Sequence, residues 1–257
     1  MINVLVTGAQ GQLGMSIQKT SKNYPKLNFV FKDSKELDIT NLVDIKGFFE
    51  TKNFDYCINC AAYTNVDQAE KTPEVAFAVN ADGAKKIAEV CHEHHVVLIH
   101  ISTDYVFDGE KETPYTVNDK PHPINEYGKS KLLGEQYIQQ ILEQHYIVRS
   151  SWLYSEFGTN FYKTILKKAK SAEAIYVTDQ QTGCPTNTNN LADYILEEIV
   201  LGNKEFGVYH FTDGEAMTWF DFAKKILKYN KLDQKVELVM DRNYCTFARR
   251  PRNSILE

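Results

Sequence analysis

Val4-Leu5-Val6-Thr7-Gly8-Ala9-Gln10-Gly11-Gln12-Leu13-Gly14 is the segment on which the fold turns. An uninterrupted aliphatic run this short reads as a strand buried on both faces. The glycines that follow, three apart, read as a turn opening directly into a helix. In such a turn one glycine permits the reversal, one lets a pyrophosphate approach the backbone, and one lets helix and strand pack closely. Gly8, Gly11 and Gly14 are therefore candidate cofactor-binding positions. The helix start adds unpaired N–H groups and the positive end of its dipole. The spacing is GxxGxxG rather than the commoner GxGxxG, so the place of the turn, at the first strand–helix junction, carries the inference.

Further along, β-rich runs alternate with helical patterns. Strands are expected at 27–32, 55–60, 96–101 and 146–149. Helices are expected from the turn to about Lys22 and over 42–52, 73–94 and 126–144. Strands separated by helices imply βαβ units and a parallel sheet covered on both faces. After Ser151 the pattern loosens, with helices expected over 160–171, 191–201 and 218–229 and strands at 175–177 and 208–211. The expected fold is α/β, a doubly wound, Rossmann-like parallel sheet with a small C-terminal substrate lobe. Residues 1–150 form the dinucleotide-binding domain, completed by about 175–205, and 151–174 and 206–257 form the lobe.

At 257 residues, 43% apolar and 25% charged, the chain can bury a sizeable core. Its net charge of -5 provides no basic field for nucleic acid or an acidic membrane surface. The N-terminus lacks a basic leader and enters a strand at once, and no apolar run is long enough to span a bilayer, so a cytoplasmic location is expected. Five scattered cysteines do not suggest a disulfide framework. Cys57 and Cys60 lie on a strand, where positions three apart face opposite ways. The cluster at Cys91-His92-Glu93-His94-His95 sits where histidines complement a helix C-terminus. No metal site is assigned.

A carboxylate about 20 residues beyond such a turn commonly holds the ribose hydroxyls of NAD, and Asp33 follows Gly14 by 19 residues. Lys32 beside it suits the 2′-phosphate of NADP instead, and the sequence leaves NADPH and NADH both open.

The chemistry is carried by Ser102-Thr103-Asp104-Tyr105-Val106-Phe107-Asp108-Gly109 at a strand end and by Tyr127-Gly128-Lys129-Ser130-Lys131 on the next helix. Tyr127 and Lys131, four apart, share one helix face. A phenol is a poor acid near neutral pH, and a lysine ammonium beside it is expected to lower its pKa. Tyr127 could then protonate a carbonyl oxygen as hydride reaches its carbon, with Lys131 also on the cofactor ribose and Thr103 donating to the same oxygen.

Together these residues resemble the extended short-chain dehydrogenase/reductase superfamily and, within it, the dTDP-4-dehydrorhamnose reductase family. The likeness also takes in Asn59–Asp67, Arg149–Tyr154, Asp179–Thr186 and Arg250–Ser254. It implies reduction of the C4 keto group of a nucleotide-linked sugar by NADPH or NADH. It implies Gly11, Gln12 and Leu13 at the pyrophosphate; Asp33, Asp38 and Ile39 at the adenosine; and Ala61, Ala62 and Tyr63 along the cofactor. Thr103, Tyr127 and Lys131 would be catalytic, Tyr127 and Lys131 also touching the cofactor, and Thr103, Asp104, Tyr105 and Trp152 would contact the sugar. Related dehydratases carry an acidic pair after the threonine; the single carboxylate of Asp104-Tyr105 favours plain reduction. Arg249, Arg250 and Arg252 are equally read as a grip on the nucleotide diphosphate or as an exposed basic tail. The family pattern usually continues beyond Arg250-Pro251 with another helical segment, where this sequence ends at Glu257. The alternatives are a non-catalytic subunit similar to the methionine adenosyltransferase regulatory subunit and a reductase of another nucleotide-linked keto sugar. A monomer or homodimer is expected.

Overall fold

The computed structural model describes residues 1–257. Six strands, β1 (Ile2–Thr7), β2 (Leu27–Lys32), β3 (Tyr56–Asn59), β4 (Val97–Thr103), β5 (His145–Ser150) and β6 (Gly207–His210), form one sheet. Their order is β6-β5-β4-β3-β1-β2, and every pairing is parallel. The chain leaves β1 in one direction for β2 and returns past it to β3, so the strand order reverses beside β1. The glycine turn leaves the C-terminal end of β1 at that switch point, where open α/β sheets bind ligands.

Period-two alternation divides the aliphatic strands between two cores. Val4 and Val6 pack with Leu13 and Ile17 of helix Gln12–Thr20 and with Leu191 and Ile195. Leu5 faces the other way, onto Ile45, Phe49, Ile87 and Ile138. Each such side chain, fully buried, contributes about 1.5–3 kcal/mol, which holds helices against both faces.

Most helices begin at a side-chain cap. Asn41, Asn65, Asn125, Asn160 and Asn187 each accept a backbone N–H of the first turn, and Thr218 forms a capping box with Asp221. Helix Pro73–Phe77 instead starts on a proline, which has no N–H to satisfy. The helix expected over 73–94 is interrupted by a π-helical turn at Ala78–Gly83. At its centre Asn80 accepts from Tyr63 N (2.8 Å) and donates to Tyr63 O (2.9 Å) and Ser130 Oγ (3.0 Å). Bulges of this kind recur at functional sites because they redirect side chains without ending the helix.

The lobe has its own core, with Ile165, Ile175, Phe222, Ile226 and Leu227 buried between helices Phe161–Lys168 and Trp219–Tyr229 and a two-stranded parallel sheet of Ala174–Val177 and Glu237–Met240. The division between domain and lobe differs from the sequence reading at two places. Residues 207–210 are the edge strand of the main sheet, not lobe, because Val208 and Tyr209 pack into its two opposite cores. Conversely, 174–177 belongs to the lobe sheet, and of the expected completing segment it is the helical stretch from Thr188 to Val200 that packs on the main domain. No helix is long and apolar enough to cross a membrane.

Candidate active site

Gly8 takes φ +63, and a side-chain carbon there would lie within 2.7 Å of the Ala61 Cα, so the turn and the loop after β3 touch backbone to backbone. A side-chain carbon on Gly14 would meet Ala9 Cα at 2.7 Å. Both glycines thus serve close approach, as the turn requires. Helix Gln12–Thr20 has no side-chain N-cap and no acidic residue in its first turn. Its N-terminal N–H groups and dipole are left for an anion, in contrast to the capped helices elsewhere.

Gly8, Gly11, Asp33, Asp38, Ile39, Ala61, Ala62 and Tyr63 line one cavity of about 510 Å³. Gln12, Leu13, Gly14, Tyr127 and Lys131 are not among its walls. Leu13 is core, and Gln12 Oε1 is taken by Asn160 Nδ2 at 2.8 Å and the Ser155 hydroxyl at 3.3 Å. Asp33 lines the cavity and also turns the loop, accepting from Lys35 N and Glu36 N. The cation in the cavity wall is Lys35, not Lys32, which pairs with Glu36 at 3.2 Å and lies over the Phe48 ring.

Thr103 ends β4 and donates to Asp104 Oδ1 at 2.9 Å. Asp104 is 2% exposed; burial raises its carboxyl to about 6, against the Ser254 and Thr103 hydroxyls, which favour the charged form. Its second oxygen, Oδ2, has no hydrogen-bond partner. Tyr127 meets Tyr105 edge to face, with ring centroids 5.8 Å apart. The approach depends on Gly128, where a side-chain carbon would fall on the Tyr105 carbonyl oxygen. Gly128→Ala should push the helix off that backbone. A displacement of about 1 Å at Tyr127 predicts a loss of roughly 10²-fold in kcat, read by steady-state kinetics beside a circular-dichroism melt.

One expectation is overturned. Lys131 is not among the groups that shift Tyr127, whose phenol is raised, not lowered: burial is the main cause, the Asp104 and Tyr105 charges add to it, and the Thr103 hydroxyl opposes it. The Lys131 amine is 2.6 Å from the Ile101 carbonyl and 3.1 Å from His100 Nε2. Burial outweighs its neighbours and lowers Lys131 to about 8.

Trp152 adopts a left-handed backbone (φ 49), and its indole stacks on Trp219 at 3.5 Å, so one of its faces is already covered. Of the three C-terminal arginines, Arg249 and Arg252 are exposed. Arg250 lines a second cavity of about 290 Å³ with Lys168, Gln181 and Trp219, and it donates to Asp67 at 3.1 Å. Missed in the sequence were Asn59, Asn80 and His100, all buried and polar. The first and last extend the core-facing alternation of β3 and β4 with polar side chains, which is the signal that could have found them.

The sequence matches the family described as the RmlD substrate binding domain over residues 2–257. A dTDP-4-dehydrorhamnose reductase of Aggregatibacter actinomycetemcomitans is 38% identical, the alignment covering 100% of this chain and 91% of that protein. A dTDP-4-keto-6-deoxy-D-glucose reductase of Streptomyces niveus is 34% identical over 98% of this chain and 87% of its own. The crystal structure of a Bacillus anthracis dTDP-4-dehydrorhamnose reductase in complex with NADP superposes with a TM-score of 0.95 at 38% identity, covering 100% of this chain and 91% of that one. Agreement at this level, running through the glycine turn, the Tyr127 helix and the small lobe alike, shows that the chain belongs to the RmlD family of dTDP-4-dehydrorhamnose reductases.

Proposed function

We propose that this chain reduces the C4 keto group of dTDP-4-dehydro-L-rhamnose to give dTDP-L-rhamnose, using NADPH or NADH. The observation that carries the reading is the pairing of an uncapped helix N-terminus at the glycine turn with a phenol, on the helix Glu126–Ile141 of the sheet's other face, that burial keeps protonated. When bound, the nicotinamide cofactor supplies the hydride. The bare N–H groups after Gly11 hold its pyrophosphate, Asp33, Asp38 and Ile39 its adenosine end, and Ala61, Ala62 and Tyr63 its length. Ser34 and Lys35, in the same wall, offer donors to a 2′-phosphate.

Tyr127 gives its proton to the sugar O4 as C4 becomes tetrahedral, and Thr103 orients that oxygen. A donor must hold its proton until the carbonyl needs it, so a raised phenol pKa serves this direction of reaction. Lys131, on the same helix face, holds the nicotinamide ribose. Asp104, Tyr105 and Trp152 contact the sugar. The nucleotide end lies toward the cavity of Arg250 and Lys168, whose cations suit a diphosphate. We place the reaction in the cytoplasm.

Purified protein should oxidise NADPH or NADH only when a nucleotide-linked 4-keto sugar is added, and fastest with the rhamnose precursor. The Streptomyces relative favours testing dTDP-4-keto-6-deoxy-D-glucose beside it. No turnover on any keto sugar, with a partner protein copurifying, would replace this reading with that of a regulatory subunit.

A further inference from the structure

Thr7, Asn59 and His100 sit side by side across β1, β3 and β4, the register pairing Thr7 with Asn59 and Asn59 with His100. They continue the strand face that carries Leu5, Cys57 and Leu98 into the core. Each is polar, yet none is more than 1% exposed. Polar groups buried this deeply cost stability unless their hydrogen bonds are made, so the row needs an explanation.

One donor beside the row has no freedom, and from it every direction follows. The backbone N–H of Ala61 can only donate, and it lies 3.2 Å from Asn59 Oδ1. The Thr7 hydroxyl donates to the same oxygen at 2.7 Å. Asn59 is thereby fixed with its NH2 toward His100, where Nδ2 is 3.2 Å from Nδ1. Nδ1 must accept, so a neutral imidazole carries its proton on Nε2. Nε2 lies 3.1 Å from Lys131 Nζ. An imidazole N–H therefore points at the lysine nitrogen, which suits a neutral amine with a lone pair to offer and opposes an ammonium, which can only donate.

We propose that Asn59 and His100 are positioning residues that set the protonation of Lys131, presenting its Nζ with an N–H donor that favours the neutral amine over the ammonium. The proposal rests on Lys131 acting beside Tyr127 as described above. Burial works in the same direction, lowering Lys131 and holding His100 neutral, well below its ordinary value, with the Lys131 charge adding to that. Two groups around Nζ pull the other way: Glu135, one helical turn on, and Cys60, after β3. Glu135 is gripped by Arg149 on both of its oxygens, and burial pushes the Cys60 thiol up, keeping it neutral. The Ile101 carbonyl accepts from either form of the lysine.

Asn59→Asp tests the assignment with little change of shape. A carboxylate only accepts, so Nδ1 must donate to it, the imidazole proton leaves Nε2, and Lys131 meets a lone pair. Isotope-edited nitrogen NMR of the full-length protein should show His100 protonated on Nε2 in the wild type and on Nδ1 in the variant. The alkaline fall of kcat/KM with the keto sugar, which marks loss of the ammonium, should move up by about one pH unit or more in the variant, with KM for the sugar little changed. An Nδ1–H tautomer in the wild type overturns the proposal, and so does an unmoved alkaline limb in a variant whose tautomer has inverted. If Asn59→Asp does not fold, the wild-type tautomer decides alone. That spectrum needs no turnover, so a chain inactive on every keto sugar would end the reductase reading while leaving the hydrogen-bond row to stand or fall by itself.

Discussion

Tyr127→Phe should lower kcat by roughly 10²–10⁴-fold, the range for losing a positioned proton donor, while the variant still binds cofactor and melts near the wild-type temperature. The ring that meets Tyr105 edge to face is kept, so the packing that seats the helix survives. Only the phenolic hydroxyl goes. Stopped assays of NADPH loss give the rate, and quenching of Trp fluorescence gives cofactor affinity. A Phe variant turning over at wild-type speed would remove Tyr127 from the chemistry. The pH dependence has a defined sign. Burial and the neighbouring Asp104 and Tyr105 charges raise Tyr127, so it stays protonated across the neutral range and its own titration does not limit reduction there. Lys131, at about 8, is the group whose charge is lost as pH rises.

Glu135→Leu should destabilise the fold by about 3–5 kcal/mol, because it strands a buried cation. Arg149 Nη2 lies 2.6 Å from Glu135 Oε2 and Nε 3.0 Å from Oε1, with the two side chains 5% and 1% exposed. The Ser102 hydroxyl also donates to Glu135, and the Arg149 guanidinium lies over the Phe107 ring at 5.3 Å. The pair joins β4, β5 and the helix Glu126–Ile141 that carries Tyr127 and Lys131. For a chain of this size the loss corresponds to a fall in Tm of roughly 10 °C, measurable by calorimetry or urea titration. Adding Arg149→Met to the variant should recover most of it, since the cost lies in the unpaired charge more than in the pair's net contribution. A single variant as stable as the wild type would mean that water reaches Arg149 in solution.

The two variants probe different layers of what could be read in advance. The parallel α/β sheet was legible because a buried parallel strand is nearly all aliphatic, and Val4–Val6, Ile147–Val148 and Leu98–Ile99 are so by composition. The YxxxK pair was legible because helical spacing puts both residues on one face whatever lies around them. Residues 207–210 were misassigned because the edge strand, Gly207-Val208-Tyr209-His210, is half-buried and has no aliphatic run to mark it. The effect of Lys131 on Tyr127 was misjudged for another reason. Spacing fixes which way two side chains leave a helix, whereas a pKa depends on what desolvates them.

By itself, then, the sequence determined the strand–helix alternation, the glycine turn and the shared face of Tyr127 and Lys131, since each follows from neighbours a few residues apart. Only the tertiary structure decided that Lys131 reaches into β4, that Asn59 and His100 stand in a row beside it, and that Trp152 lies against Trp219. Those contacts join residues far apart in the chain, and their protonation and orientation come from burial and from obligate donors such as the Ala61 N–H, which no local pattern encodes.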